Sequence, residues 1–163
     1  MRIKITKGRI IDPANNLDKK GDLYIEDGKI LSVDKKQSKF TPDKTIEAEG
    51  LIVCPGLVDL SAHMREPGQE HVASITSETT AAASGGITSV CCPPDTQPVI
   101  DTPAVVELIH QRAKSANKAR VFPLGAMTQA LEGETLAEMW ALSKAGCIGM
   151  SNAQVPVNNT EVL

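Results

Sequence analysis

The sequence predicts an α/β fold in which a small β-rich segment precedes parallel strands that alternate with helices. Three observations predict it. Residues 1 to 52 hold short runs of alternating apolar and polar residues, broken by turns containing glycine. From Leu51 the pattern changes to strand, loop and helix, repeated. Of the 163 residues, 41% are apolar and 23% charged, a balance that suits a folded core and argues against disorder.

In order, Arg2–Thr6 alternates and Lys7-Gly8 turns it into Arg9-Ile10-Ile11. Asp22–Glu26 alternates again, Asp27-Gly28 marks a tight hairpin because both turn positions must accept positive φ, and Lys29–Val33 returns. Lys44–Ala48 and Leu51–Val53 complete the β-rich segment. The first strand–helix unit is then Val58–Leu60, expected to be buried together with Leu57, followed by a helix near Ser74–Ser84 that stops at Gly85-Gly86. The second is Ile87–Cys92 with a helix from Pro103, where Thr102 can cap and proline suits the first helical position. Val105, Val106, Ile109 and Ala113 fall on one stripe of that helix. The third is Arg120–Ala126 with a helix from Leu136 to Ala145, placing Leu136, Met139, Trp140 and Ser143 on one face before a left-handed stop at Gly146. Cys147–Met150 is a fourth strand, followed by Ser151-Asn152-Ala153-Gln154. In a parallel α/β protein the ligand sits beyond the carboxyl ends of the strands, so the loops after Leu60, Cys92, Ala126 and Met150 share the functional face.

Composition excludes several functions. Aromatic residues are 2% of the chain, too few for a base-stacking platform, and the formal net charge is −3, so neither nucleic acid nor an anionic membrane is an expected partner. No apolar run approaches the roughly 20 residues of a membrane span. Cys54, Cys91, Cys92 and Cys147 each lie in an apolar run without a CxxC pair, which reads as buried thiols in a reducing cytoplasm.

The chemistry concentrates in Pro55–Gly68. Side chains alternate along a strand, so positions 61 and 63 point the same way, and two histidines there could share a zinc ion that wants about four ligands. The residues present are Ser61 and His63, and a neutral hydroxyl is a poor zinc ligand. His63 is therefore either a metal ligand or a hydrogen-bonded pocket histidine. Arg65 offers a planar fork for a ligand carboxylate, or a salt bridge to Glu66 or Asp95. Adjacent Cys91 and Cys92 face opposite ways and cannot easily share a metal. His71 and His110 read as exposed bystanders, Glu132, Glu134 and Glu138 as a solvated helix face, and Gly85-Gly86 as a helix stop without phosphate-loop spacing.

Together, Pro55–Leu60 with His63–Glu70, Ala81–Val90, Pro94–Pro103, Val121–Thr128 and Lys144–Cys147 resemble the type I dihydroorotases of the amidohydrolase superfamily. The resemblance covers essentially the whole chain. It implies the N-terminal part of a TIM-like (β/α)8 barrel, about four βα units over 53–163, with a small β-sandwich-like module begun by 1–52. Active members of that family hold zinc by an HxH pair after the first strand, an aspartate after the fourth and later histidines. A metal-bound hydroxide then opens or closes the cyclic amide of dihydroorotate. An arginine and an asparagine grip the substrate carboxylate.

Carried over residue by residue, the resemblance keeps His63 and Arg65, and leaves Arg65 and Asp95 as remnant substrate-binding positions. Ser61 replaces the first metal histidine. Asp95 replaces the asparagine and would repel the substrate carboxylate. Asn152 and Ala153 stand where the fourth-strand carboxylate belongs. The resemblance thus implies no catalytic residue and no metal, as in the noncatalytic dihydroorotase-like proteins that accompany aspartate transcarbamoylase. The expectation is a cytoplasmic homo-oligomer serving as structural partner of the aspartate transcarbamoylase catalytic chain in pyrimidine biosynthesis. Two alternatives are an active zinc amidohydrolase with an altered metal site and a module that binds small carboxylates through Arg65. Half a barrel also implies the N-terminal portion of a protein of roughly 400 residues, or else a half-barrel completed by dimerisation.

Overall fold

The computed structural model describes residues 1–34 and 39–162, so Leu163, the last residue of the expected half-barrel, lies outside the described residues. The chain separates into two compact units, Met1–Pro55 and Gly56–Leu163.

The first unit is one mixed sheet. Strands β1 (Arg2–Asp12), β2 (Leu17–Glu26) and β3 (Lys29–Val33) run antiparallel in the order β3-β2-β1, and β4 (Lys44–Glu47) and β5 (Ile52–Val53) pair parallel to β1. Asp27 and Gly28 take φ of 49° and 76°, the hairpin geometry that the sequence predicts. The turn expected at Lys7-Gly8 is instead a bulge within a continuous β1: Lys7 has φ 58° and its N–H donates to Asp22 Oδ1 at 3.1 Å. A Cβ at Gly8 would stand 2.6 Å from Val53 Cγ2, so β5 can approach only a glycine there. Ile10, Leu23, Tyr24 and Ala48 are buried, while Ile30, Leu31, Ile46, Leu51 and Ile52 remain exposed. Cys54 is exposed, contrary to expectation, because it follows a two-residue edge strand rather than lying inside a core strand.

The second unit is parallel α/β. Strands β6 (Leu57–Asp59), β7 (Ile87–Cys92) and β8 (Arg120–Pro123) lie in that order, and β9 (Gly125–Ala126) pairs with β10 (Met150–Ser151). The chain changes partner at Leu124, whose N–H reaches Cys92 O at 2.9 Å, while Gly125 N–H reaches Gly149 O at 3.0 Å. Helices α1 (Ile75–Ser84), α2 (Pro103–Ala116) and α3 (Met139–Ala145) alternate with the strands.

Each helix begins and ends for a local reason. Ser74 and Ser77 form a reciprocal capping box at α1, and Gly86 leaves the helix at φ 82°. Pro103 opens α2, although the Thr102 hydroxyl makes no capping bond, and Asn117 closes it at φ 50°. Gly146 closes α3 at φ 116°.

Met64, Ile75, Val90, Cys92, Ile100, Val106, Ile109, Val121 and Leu142 form the core of this unit. Two expectations fail here. Helix α3 starts at Met139 and buries Leu142, leaving Leu136 and Trp140 exposed, because a seven-residue helix turns only one narrow stripe inward. Leu57 is 57% exposed, and Val58 and Leu60 are exposed with it, because β6 is an edge strand with a partner on one side only among the described residues. Leu142→Ala should therefore cost about 2–5 kcal/mol of unfolding free energy. In the same denaturant titration Leu57→Ala should stay within about 0.5 kcal/mol of the parent.

Candidate functional site

The loops after β6, β7, β9 and β10 emerge at one end of the second unit. Beyond Asp59, whose Oδ1 accepts the Ser61 N–H at 2.9 Å, the chain keeps pairing with β7 through Ala62 N–H and Cys91 O, also at 2.9 Å. That extension carries Ser61 and His63 to the rim of a cavity of about 200 Å³, lined also by Leu60, Pro93, Leu124, Ser151, Ala153 and Gln154. The structure thus brings together the two positions singled out after the first barrel strand and the loop after the fourth.

His63 is not alone. Its Nδ1 lies 3.1 Å from Asp95 Oδ1 and 2.9 Å from Oδ2, with both side chains about two-thirds buried. An ionised carboxylate only accepts, so Nδ1 carries the proton and donates, leaving Nε2 as the free ring atom. Sequence reasoning reads Asp95 as a remnant substrate-binding position whose charge would repel a carboxylate, and misses this bond. The residues are 32 apart, and only the adjacency of β6 and β7 makes them neighbours.

Arg65 does not line the cavity. It sits exposed at φ 61°, in a turn where Gln69 N–H reaches Arg65 O at 2.8 Å. Both salt-bridge partners weighed for it are engaged elsewhere. Glu66 Oε2 accepts the Ile75 N–H at 2.7 Å and Oε1 lies 3.4 Å from Arg112 Nε, while Asp95 holds His63. Among the described residues the Arg65 guanidinium has no ion-pair partner. The turn is pinned by Gly68, where a Cβ would stand 2.1 Å from Gln97 O, and by the Gln97 N–H bond to Pro67 O at 3.0 Å.

Asn152 and Ala153 have taken different parts. Asn152 is buried and turned away from the cavity: its Oδ1 accepts from Thr128 Oγ1 at 2.7 Å and its Nδ2 donates to Val155 O at 3.1 Å. The same Thr128 oxygen accepts the Gly133 N–H at 3.0 Å. Asn152 therefore ties the loop after β10 to the loop after β9. Ala153 faces the cavity with a methyl group, at φ 50°.

The donor chemistry does not fit a zinc site closed by three protein ligands. The cavity wall offers one imidazole, the hydroxyls of Ser61 and Ser151 and the Gln154 amide. Among the described residues no cluster of three His, Cys, Asp or Glu side chains is placed to hold a metal ion. Thiolate chemistry is also remote: burial pushes Cys92 up to about 12 and Cys147 to about 11, and raises Cys91. His71 is exposed, as are Glu132, Glu134 and Glu138. His110 is half-buried rather than a bystander, because its Nε2 packs where a Cβ at Gly146 would be, 2.6 Å away. No helix among the described residues is long and apolar enough to cross a membrane.

Comparison with known proteins follows this geometry. A family model described as dihydro-orotase-like matches residues 50–162. A dihydroorotase-like protein of Pseudomonas aeruginosa is 51% identical over 152 residues, covering 93% of this chain and 36% of its own length. A dihydroorotase-like protein of Pseudomonas putida is 47% identical over 162 residues, 98% of this chain and 38% of its own. A dihydroorotase of Geobacter metallireducens is 42% identical over 163 residues, 100% and 38%. The chain thus spans little more than a third of the length of these relatives. Among solved structures, L-hydantoinase from Arthrobacter aurescens superposes with TM-score 0.77 at 22% identity, covering 91% of this chain and 32% of that one. A D-hydantoinase gives TM-score 0.64 at 25% identity, 81% and 29%. The fold is the mixed α/β fold of amidohydrolase barrel proteins, present in part.

The bonds of Asn152 predict a structural role for it. Asn152→Ala should cost about 1–3 kcal/mol, since it leaves Thr128 and Val155 short of a buried partner. Gln154→Ala, exposed beside it, should stay within about 0.5 kcal/mol in the same chemical denaturation experiment.

Proposed function

The chain belongs to the dihydroorotase-like family, and from that premise we propose that it is the N-terminal portion of a noncatalytic dihydroorotase-like protein. Its role in this reading is structural, in assembly with the aspartate transcarbamoylase catalytic chain in pyrimidine biosynthesis, as a cytoplasmic homo-oligomer. The rest of the longer protein would supply the remaining barrel units beside β6 and β10. It would also supply a second β layer over the exposed Ile30, Leu31, Ile46, Leu51 and Ile52.

One observation carries the proposal. At the cavity where this family does its chemistry, the imidazole among the described lining residues is bound to a carboxylate, and the other donors described there are neutral. A divalent cation placed there would find little negative charge to compensate it. Asp95 stands where the resembled family has its carboxylate-binding asparagine and holds His63 instead, which counts against carboxylate binding at this spot. The relatives named dihydroorotase-like are more similar to the chain than the Geobacter dihydroorotase, which points the same way.

A second reading is favoured by one detail. A histidine that donates one ring N–H to a carboxylate is oriented as metal-ligating histidines are, and His63 is held in that way. An active amidohydrolase with an altered zinc site would draw its other ligands from the rest of the protein.

The full-length protein separates these readings. It should associate with aspartate transcarbamoylase at micromolar concentrations and turn over dihydroorotate no faster than buffer. Stoichiometric bound zinc with turnover would establish the second reading, and absence of association would sink the assembly role. Ser61→His alone should leave turnover at background, because Ala153 still presents a methyl group to the cavity. Measurable hydrolysis by that variant would mean that the site needs only one ligand restored.

A further inference from the structure

We infer that a groove at the C-terminal end of α2 is a docking site for an acidic peptide segment, one apolar side chain flanked by carboxylates. The groove encloses about 480 Å³ between α2, β8 and the turn after α3. Its rim carries His110, Lys114, Lys118 and Arg120, and its floor is apolar, with half-buried Phe122 and exposed Ile148. Among the described residues no carboxylate lines it.

Among the described lining residues these charges face no acid. The chain has 20 acidic residues against 17 Lys and Arg, and several of its basic side chains elsewhere find acids. Arg2 lies 2.6 Å from Glu26, Lys4 2.8 Å from Asp22, Arg9 2.6 Å from Asp18 and Lys19 3.0 Å from Asp34. Among the described residues, Lys114, Lys118 and Arg120 have no such partner. A lysine in the last helical turn is favoured by the helix dipole, which accounts for Lys114. Lys118 and Arg120 lie beyond the Asn117 cap, so the dipole does not account for them. Gly146 keeps the cleft open at its other side, since any larger residue there would collide with His110.

The mixed lining decides the occupant. A small strongly hydrated anion would meet the charges and leave the apolar floor wet. A bilayer surface is too flat to enter a cleft, and a nucleic acid would want exposed aromatic faces that the rim lacks. A peptide side chain with acidic neighbours satisfies floor and rim together.

The probe is a fluorescein-labelled heptapeptide with a central leucine and glutamates on both sides, followed by anisotropy. It should bind the chain, and raising salt from about 50 mM to about 500 mM should weaken binding about tenfold. Lys118→Gln with Arg120→Gln should weaken it at least about tenfold, while Lys29→Gln with Lys44→Gln, the same charge change in the other unit, should leave it unchanged. Circular dichroism checks that each variant folds, and Lys118→Gln alone serves if the double variant does not. Absence of binding, or equal weakening by both double variants, would overturn the proposal. So would displacement by millimolar inorganic phosphate, which would assign the groove to a small anion, or preferential capture by phosphatidylserine vesicles.

Discussion

Glu66 uses each of its carboxylate oxygens on a different helix. Oε2 takes the first N–H of α1, a donor that has no partner within the helix, and Oε1 pairs with Arg112 on α2. The Arg112 side chain is 61% exposed, so that ion pair is worth little by itself. The bond to Ile75 N–H differs, because the Glu66 side chain is only 12% exposed and a carboxylate at a helix N-terminus also meets the positive end of the dipole. Through this one residue the turn after His63 is tied to both helices that cover the sheet. Gly68 completes the constraint by letting the turn touch the Gln97 backbone. The Arg65–Gly68 motif that marks the family is therefore needed for packing whether or not any reaction occurs.

That constraint places His63 beside Asp95, and the pair limits what each residue can do. With Nδ1 committed to the carboxylate, His63 has one ring nitrogen left for chemistry, and Asp95 has lost its freedom to act on anything else. The neutral wall around them then matters more than the pair does. A buried cation wants compensating charge or several good donors, and hydroxyls supply neither. Arg65, exposed and without an ion-pair partner among the described residues, keeps the capacity to hold a carboxylate, but outside the cavity rather than within it.

Much of this was legible in the sequence because it follows from local chemistry. Asp27-Gly28, Pro103, Gly146 and the Ile87–Cys92 strand all fell where their backbone preferences put them. The failures come from information that no local window holds. Leu57 and Cys54 read as core because their neighbours are apolar, yet burial depends on which strand lies alongside, and theirs are edges. Helical spacing places Trp140 on one face with Leu136 and Met139, but the helix begins only at Met139 and is too short for a hydrophobic stripe to determine its orientation alone. The positions of the site were legible by resemblance, whereas its bonds were not: Asp95 and His63, or Thr128 and Asn152, meet only once parallel strands are adjacent.

Asn152 shows why its position does not readily accept a carboxylate. A ligand position left vacant could be refilled by one substitution. Here the neighbouring position has been given work: Asn152 joins Thr128 to Val155, and Thr128 in turn holds Gly133. Replacing it by a carboxylate would put a buried charge opposite the Val155 carbonyl, with the Nδ2 donor lost. Ala153 is the freer position, because its φ of 50° is one that Asp and Asn tolerate better than alanine. A carboxylate at 153 would face the cavity without breaking the loop. The route back to a charged site therefore runs through Ala153 and Ser61 together, while Asn152 must stay as it is.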